Sequence, residues 1–112
     1  MRRGEIYYAE LGPTTVGSEI NKTRPVLIVS CDANNRAAST VTVLPIISNV
    51  SRVYAFEIAL SPKDSGLPKP SKVQAQQIRT ISRERVRGGP LARLSVSLMQ
   101  FADDAVRLHL DL

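Results

Sequence analysis

At 112 residues, with 43% apolar and 22% charged side chains, the chain has the make-up of one ordinary globular domain, 1–112, with a modest core. No apolar run approaches the ~20 residues of a membrane helix, and the start Met1-Arg2-Arg3-Gly4-Glu5 carries no hydrophobic leader. The single cysteine, Cys31, excludes an internal disulfide and leaves too few soft ligands for zinc, so a reducing cytoplasm is the expected compartment. The formal charge is +5, and eleven of the fifteen cations are arginine, whose planar fork suits phosphate. That balance favours an anionic partner, nucleic acid or an acidic protein segment, although a solvated basic surface satisfies charge alone equally well.

In chain order, Glu5 to Leu11 is rich in strand formers and stops at Gly12-Pro13. The polar stretch Thr14 to Thr23 is long for a hairpin, and long loops in small domains are often functional. Arg24 to Ser30 reads as a buried strand with Pro25 near its start. Asp32 is an expected N-cap for a weak helical turn through Ala38. Thr40 to Ile47 is a third strand, where Pro45 points to an edge, a bulge or a strand end. Arg52 to Leu60 is predicted as a fourth strand by its alternation, and Ser61 to Ser71, with three prolines and Gly66, as a loop. Lys72 to Ile81 alternates polar and apolar residues, as a last strand with one wet face does. Ser82 to Arg85 is predicted as one helical turn before the breaker Gly88-Gly89-Pro90. From Ser95 or Ser97, apolar residues recur at helical spacing: Leu98, Phe101 or Ala102, Ala105, Leu108 or His109, and Leu112. Met99, Val106 and Leu110 widen that face, which must pack deeply or serve an interface. The set predicts a mainly β fold, a small barrel-like domain covered by a C-terminal α-helix.

Three segments, in this order, resemble the MazF/PemK toxin family. The first combines Arg3-Gly4-Glu5-Ile6-Tyr7, Gly12-Pro13, Gly17-Ser18-Glu19 and Arg24-Pro25-Val26-Leu27. The second is Val43-Leu44-Pro45-Ile46-Ile47-Ser48-Asn49. The third is the late strand Ser71 to Ile81, ending Gln77-Ile78-Arg79-Thr80-Ile81. The resemblance spans almost the whole chain. It implies an SH3-like β-barrel in a homodimer, and ribosome-independent cleavage of single-stranded mRNA at a short sequence. It also implies neutralisation by a cognate MazE-like antitoxin whose acidic C-terminal segment lies over the RNA groove. One basic groove would serve both anions.

RNA can be cut with its own 2′-OH as nucleophile, which leaves a cyclic phosphate and a free 5′-OH. Such chemistry needs in-line positioning, charge stabilisation at phosphorus and proton transfer, and calls for no metal or other cofactor. By the resemblance, Arg24 is the catalytic arginine, a permanently charged bidentate clamp on the scissile phosphate. Read from the residues alone, the plainer role is a strand-end arginine paired with Glu19 or another carboxylate. Glu19 would orient Arg24 or accept a proton, or be a solvated loop acid. Ser18, Asn21, Lys22 and Thr23 line the same edge, with Asn49, Gln76 and Arg79, as candidate RNA contacts.

The chain departs from the family's pattern after Pro45. The threonine expected after Pro45-Ile46 is Ile47, whose side chain neither donates nor accepts a hydrogen bond. Ser48 carries the next hydroxyl, but neighbours on a strand face opposite ways, so it can substitute only at a bulge or a strand end. Either Ser48 supplies the hydroxyl, or the chain is an impaired toxin homologue that binds RNA or antitoxin. A CcdB-like gyrase poison is the other reading of this fold, disfavoured because the chain has no tryptophan. Arg79, Arg83, Arg85 and Arg87 form a basic run that suits phosphate or, more simply, solvent. Cys31 is expected to be a small buried residue, and His109 to serve packing or an interface.

Overall fold

The computed structural model describes residues 1–12, 16–17, 19 and 22–112. In these residues the chain runs β1 (Glu5–Glu10), β2 (Thr23–Ile28), α1 (Asp32–Ala37), β3 (Thr40–Ile47), β4 (Glu57–Leu60) and α2 (Pro62–Ser65). It continues through β5 (Ser71–Gln74), β6 (Arg79–Ser82), β7 (Val86–Arg93) and α3 (Val96–Leu110). All strand pairs are antiparallel, in the order β4-β5-β3-β2-β1-β7, with β6 also paired to β3. The mainly β fold with a C-terminal helix is therefore the one expected.

Period-2 patterning gives the sheet two apolar faces. On one face Ile6, Leu27, Leu44, Ile46 and Val73 meet Met99, Ala102 and Ala105 of α3. On the other, Tyr7, Ala9, Val26, Ile28, Val41, Val43 and Ile81 form a second cluster. No helix residue belongs to this second cluster among the described residues, so the strands cover it themselves, which is the barrel-like feature of the fold. Helix α3 starts at Ser95, whose side chain accepts the Leu98 N–H. It buries a stripe at 99, 102 and 105, and burial of Met99 contributes about 1.5–3 kcal/mol. Phe101, Leu108, Leu110 and Leu112 stay exposed, so the wide apolar face is only partly used within the chain.

Several expectations are corrected. Arg52 to Phe56 is not strand: the Glu57 N–H bonds to the Tyr54 carbonyl at 2.9 Å, a turn that delays β4 to Glu57. The alternating run Lys72 to Ile81 is two strands, β5 and β6, separated by a 3₁₀ turn at Ala75–Gln77. That break lets one edge of β3 pair with β6 through residues 40–43 and with β5 through 46–47. Pro45 is buried within β3, where that edge changes partner, an interruption that a residue without an N–H can occupy.

Gly88-Gly89-Pro90 does not end the fold's strands but lies inside β7. Against β1 the register jumps between Ile6–Ala92 and Tyr8–Arg87, so the breaker residues form a bulge in a paired strand. The predicted loop after Leu60 holds the short helix α2, capped by Ser61. Cys31, not Asp32, is the N-cap of α1 and is exposed, while the Asp32 carboxylate accepts the Arg3 N–H at 2.7 Å. Among the described residues no helix is long and apolar enough to cross a membrane.

Candidate active site

Strand β2 carries Arg24 up to a cleft of about 200 Å³. Its walls combine Arg24 and Pro25 of β2, Tyr8 of β1, Ile46, Ile47 and Ser48 at the end of β3, and the segment Leu67–Lys69 with Ser71. Two cationic residues, Arg24 and Lys69, line this space, and among the described residues no carboxylate does. The Arg24 Nε is buried and has no hydrogen-bond partner among the described residues. A buried donor left unsatisfied costs about 1–3 kcal/mol, so a guanidinium in this state is prepared for an anion. The alternative pairing with Glu19 is not formed. Glu19 is exposed, and its carboxylate accepts the Val16 N–H at 3.1 Å within its own loop.

Strand β3 ends at Ile47, and Ser48 stands just beyond it, exposed and on the cleft wall. The condition for a shifted hydroxyl, a strand end, is thus met. Ile47, half-buried, is the last residue of the ladder and pairs with Lys72 of β5.

The other candidates fall elsewhere. Ser18 and Asn21 lie outside the described residues. Lys22 closes the base of the loop through its backbone: Leu11 N–H bonds to its carbonyl and its own N–H to the Gly12 carbonyl, both at 2.8 Å. Thr23 is exposed at the start of β2, opposite Glu10. Asn49 is exposed and caps a local turn, accepting from the Ser51 hydroxyl at 2.8 Å. Arg79 donates to the Leu11 carbonyl at 3.2 Å. Arg85 reaches the Glu10 carbonyl, Arg87 pairs with the Glu10 carboxylate at 3.0 Å, and Arg83 donates to the Asn35 carbonyl. The basic run is therefore largely spent on tying strands and loops together.

Gln76 belongs to a network that sequence reasoning missed. The Glu57 carboxylate is buried and accepts from Gln76 at 2.7 Å, Lys72 at 2.9 Å, Gln74 at 3.0 Å and the Tyr54 N–H at 3.0 Å. Burial by itself would raise the Glu57 pKa, but the hydrogen bonds from Tyr54, Gln76, Lys72 and Gln74 overcome it and hold the group at about 2. Lys72 also donates to the Arg52 carbonyl at 2.6 Å, so the network fixes β4, β5 and the segment before β4 in one piece. Above it Arg52 lies over the Tyr54 ring, Tyr54 stacks on Phe56, and Phe56 meets His109 of α3. Only the isolated Glu57 in an otherwise apolar strand gave a sequence signal for this cluster. Tyr8 and Lys69 were also missed, since neither stands in a motif. No cluster of three His, Cys, Asp or Glu side chains occurs among the described residues.

Residues 2–110 match the model of the PemK-like, MazF-like toxin of type II toxin–antitoxin systems. Endoribonuclease MazF9 of Mycobacterium tuberculosis is 43% identical, over all of this chain and 98% of its own length. Endoribonuclease EndoA of Bacillus subtilis is 31% identical, over all of this chain and 96% of its own. A solved endoribonuclease in complex with its cognate antitoxin, from a mycobacterial species, superposes with a TM-score of 0.81 at 26% identity, over 100% and 96% of the two chains. The chain belongs to the PemK-like, MazF-like toxin family of type II toxin–antitoxin systems.

Proposed function

We propose that this chain is an endoribonuclease toxin that cuts single-stranded mRNA by attack of the 2′-OH on the adjacent phosphorus. The new 2′-O–P bond forms as the P–O5′ bond breaks, giving a cyclic phosphate and a free 5′-OH. Arg24 clamps the scissile phosphate through its two-pronged guanidinium and stabilises charge on the phosphorane. The Ser48 hydroxyl, at the end of β3, hydrogen-bonds to the same group. The observation that carries this reading is the buried, unpartnered Arg24 Nε on the wall of a cleft that also holds Ser48 and Lys69. The cation-lined cleft also suits the acidic C-terminal segment of a cognate MazE-like antitoxin, which would neutralise the toxin by occupying it. The reading further includes a cytoplasmic homodimer, to which the exposed apolar side chains of α3 are suited.

Incubation with long single-stranded RNA in EDTA tests it. Cuts with cyclic phosphate ends that vanish in Arg24→Ala are expected. Binding without cuts would leave a silent RNA-binding module, and gyrase inhibition without RNA binding would leave a gyrase poison. One observation favours a slower version of the same enzyme. Ile47, where the family has threonine, projects from the same strand face as Arg24, and it offers the reacting phosphate no hydrogen bond.

A further inference from the structure

We infer that Lys69 is a second phosphate-binding residue of the cleft, which holds the RNA backbone phosphate next to the one clamped by Arg24. This rests on the RNA reading of the site and adds a positioning residue to it. Lys69 lines the cleft together with Arg24 and Ser48, yet it enters from a different part of the chain, between α2 and β5. No hydrogen bond or ion pair to another described residue engages its exposed ammonium; only its carbonyl is used, by the Ser71 hydroxyl at 2.9 Å. Lys72, by contrast, is consumed by Glu57 and the Arg52 carbonyl.

The backbone that presents Lys69 is held at both ends. On one side Leu67 is buried, and its N–H bonds at 3.0 Å to the fully buried Ser65 hydroxyl. On the other, Ser71 is buried and paired with Leu60 of β4. Pro68 and Pro70 flank the lysine and fix φ on either side of it. A flexible side chain on a pre-set backbone loses less entropy on binding than one on a free loop. An apolar floor, two cations and no carboxylate among the described lining residues suit consecutive phosphates of one strand, whose charges recur at regular spacing. Arg24 supplies the two-pronged geometry at the reacting centre, and Lys69 supplies the point charge beside it.

The test is the salt dependence of binding to a pool of 2′-O-methylated single-stranded RNA, which cannot be cut, for wild type, Lys69→Gln and Lys69→Arg. Each phosphate contact contributes about 0.7 to the slope of log Kd against log salt. Lys69→Gln is expected to lower that slope by about 0.7, and Lys69→Arg to restore it. On cleavable RNA, Lys69→Gln is expected to raise KM about tenfold while kcat stays within about twofold, the pattern of lost uniform binding. Unchanged slope and KM in Lys69→Gln, in a protein that still melts like wild type, would overturn the inference while leaving RNA cleavage standing. A wild type that neither binds nor cuts RNA would overturn the RNA reading and this inference together.

Discussion

Arg24 and Ile47 project from the same face of two neighbouring strands. Val26 of β2 pairs with Pro45 of β3, and two residues further along each strand, one full pleat, lie Arg24 and Ile47. The side chain at position 47 is therefore the one the sheet directs to the arginine's side. Ser48, one residue on and just past the strand end, stands on the cleft wall beside Ile46. We expect Ile47→Thr to raise the rate of RNA cleavage by about 100-fold, the scale of one oriented hydrogen-bond donor at a developing charge. Single-turnover cleavage under saturating protein measures it. A fast wild type, no gain in Ile47→Thr and collapse in Ser48→Ala would assign the hydroxyl to Ser48 alone.

Arg24 has a buried Nε with no partner among the described residues, so no hydrogen bond to them is lost there on replacement. Replacement by lysine keeps a charge but loses the fork that grips two phosphate oxygens. We expect Arg24→Lys to lower kcat by roughly 100-fold or more, with thermal stability unchanged or slightly improved. A drop in stability as large as the drop in activity would mean that the arginine serves the fold.

How much of this was legible in the sequence differs from residue to residue. Strands β1, β2 and β3 follow from short runs rich in strand-forming and apolar residues and were placed within a residue or two. Ser95, the N-cap of α3, was one of the two caps that local chemistry offered, with Ser97. Strand β7 was not, because Gly88-Gly89-Pro90 signals interruption, and only the pairing with β1 shows an interruption within a strand. The split of β5 from β6 was hidden for the converse reason: the alternation runs unbroken through a turn that long-range pairing with β3 imposes. Of the cleft residues, Arg24, Ile47 and Ser48 were named as candidates through motif position. Lys69 and the partners of Glu57 were not, since both depend on which strands become neighbours.

Glu57 gives the fold a defined acid sensitivity. Its pKa is about 2 in the folded protein against an ordinary value of 4.5. A depressed carboxylate contributes stability that is complete above the unfolded value and is lost as pH falls toward the folded one. The window is therefore pH 4.5 down to about 2. Other carboxylates also titrate there, so the informative quantity is a difference between variants. We expect the urea midpoint of Glu57→Gln to fall less steeply than that of wild type between pH 5 and pH 3. Parallel curves would show that the Glu57 network does not couple to protonation.

Gly66 links the stability of the fold to the presentation of Lys69. It ends α2 with φ of +72°, in the left-handed region, and its N–H bonds to the Pro62 carbonyl at 2.9 Å. A Cβ built there would lie 2.6 Å from the Leu91 carbonyl oxygen and 3.3 Å from the Ala92 Cβ. Those atoms belong to β7, so relief requires moving a strand or the helix end, not turning a side chain. Left-handed backbone costs a non-glycine residue about 1–2 kcal/mol before any clash. We expect Gly66→Ala to destabilise the protein by more than about 2 kcal/mol in urea unfolding. Because Leu67 and the Pro68-Lys69-Pro70 segment follow directly, the folded fraction should also show a higher KM for RNA. Asn is the side chain best suited to this backbone region, and Gly66→Asn separates the two costs: it removes most of the conformational penalty but keeps the contact with Leu91. Equal losses in the two variants would place the cost in that contact, whereas a mild Gly66→Asn would place it in the backbone.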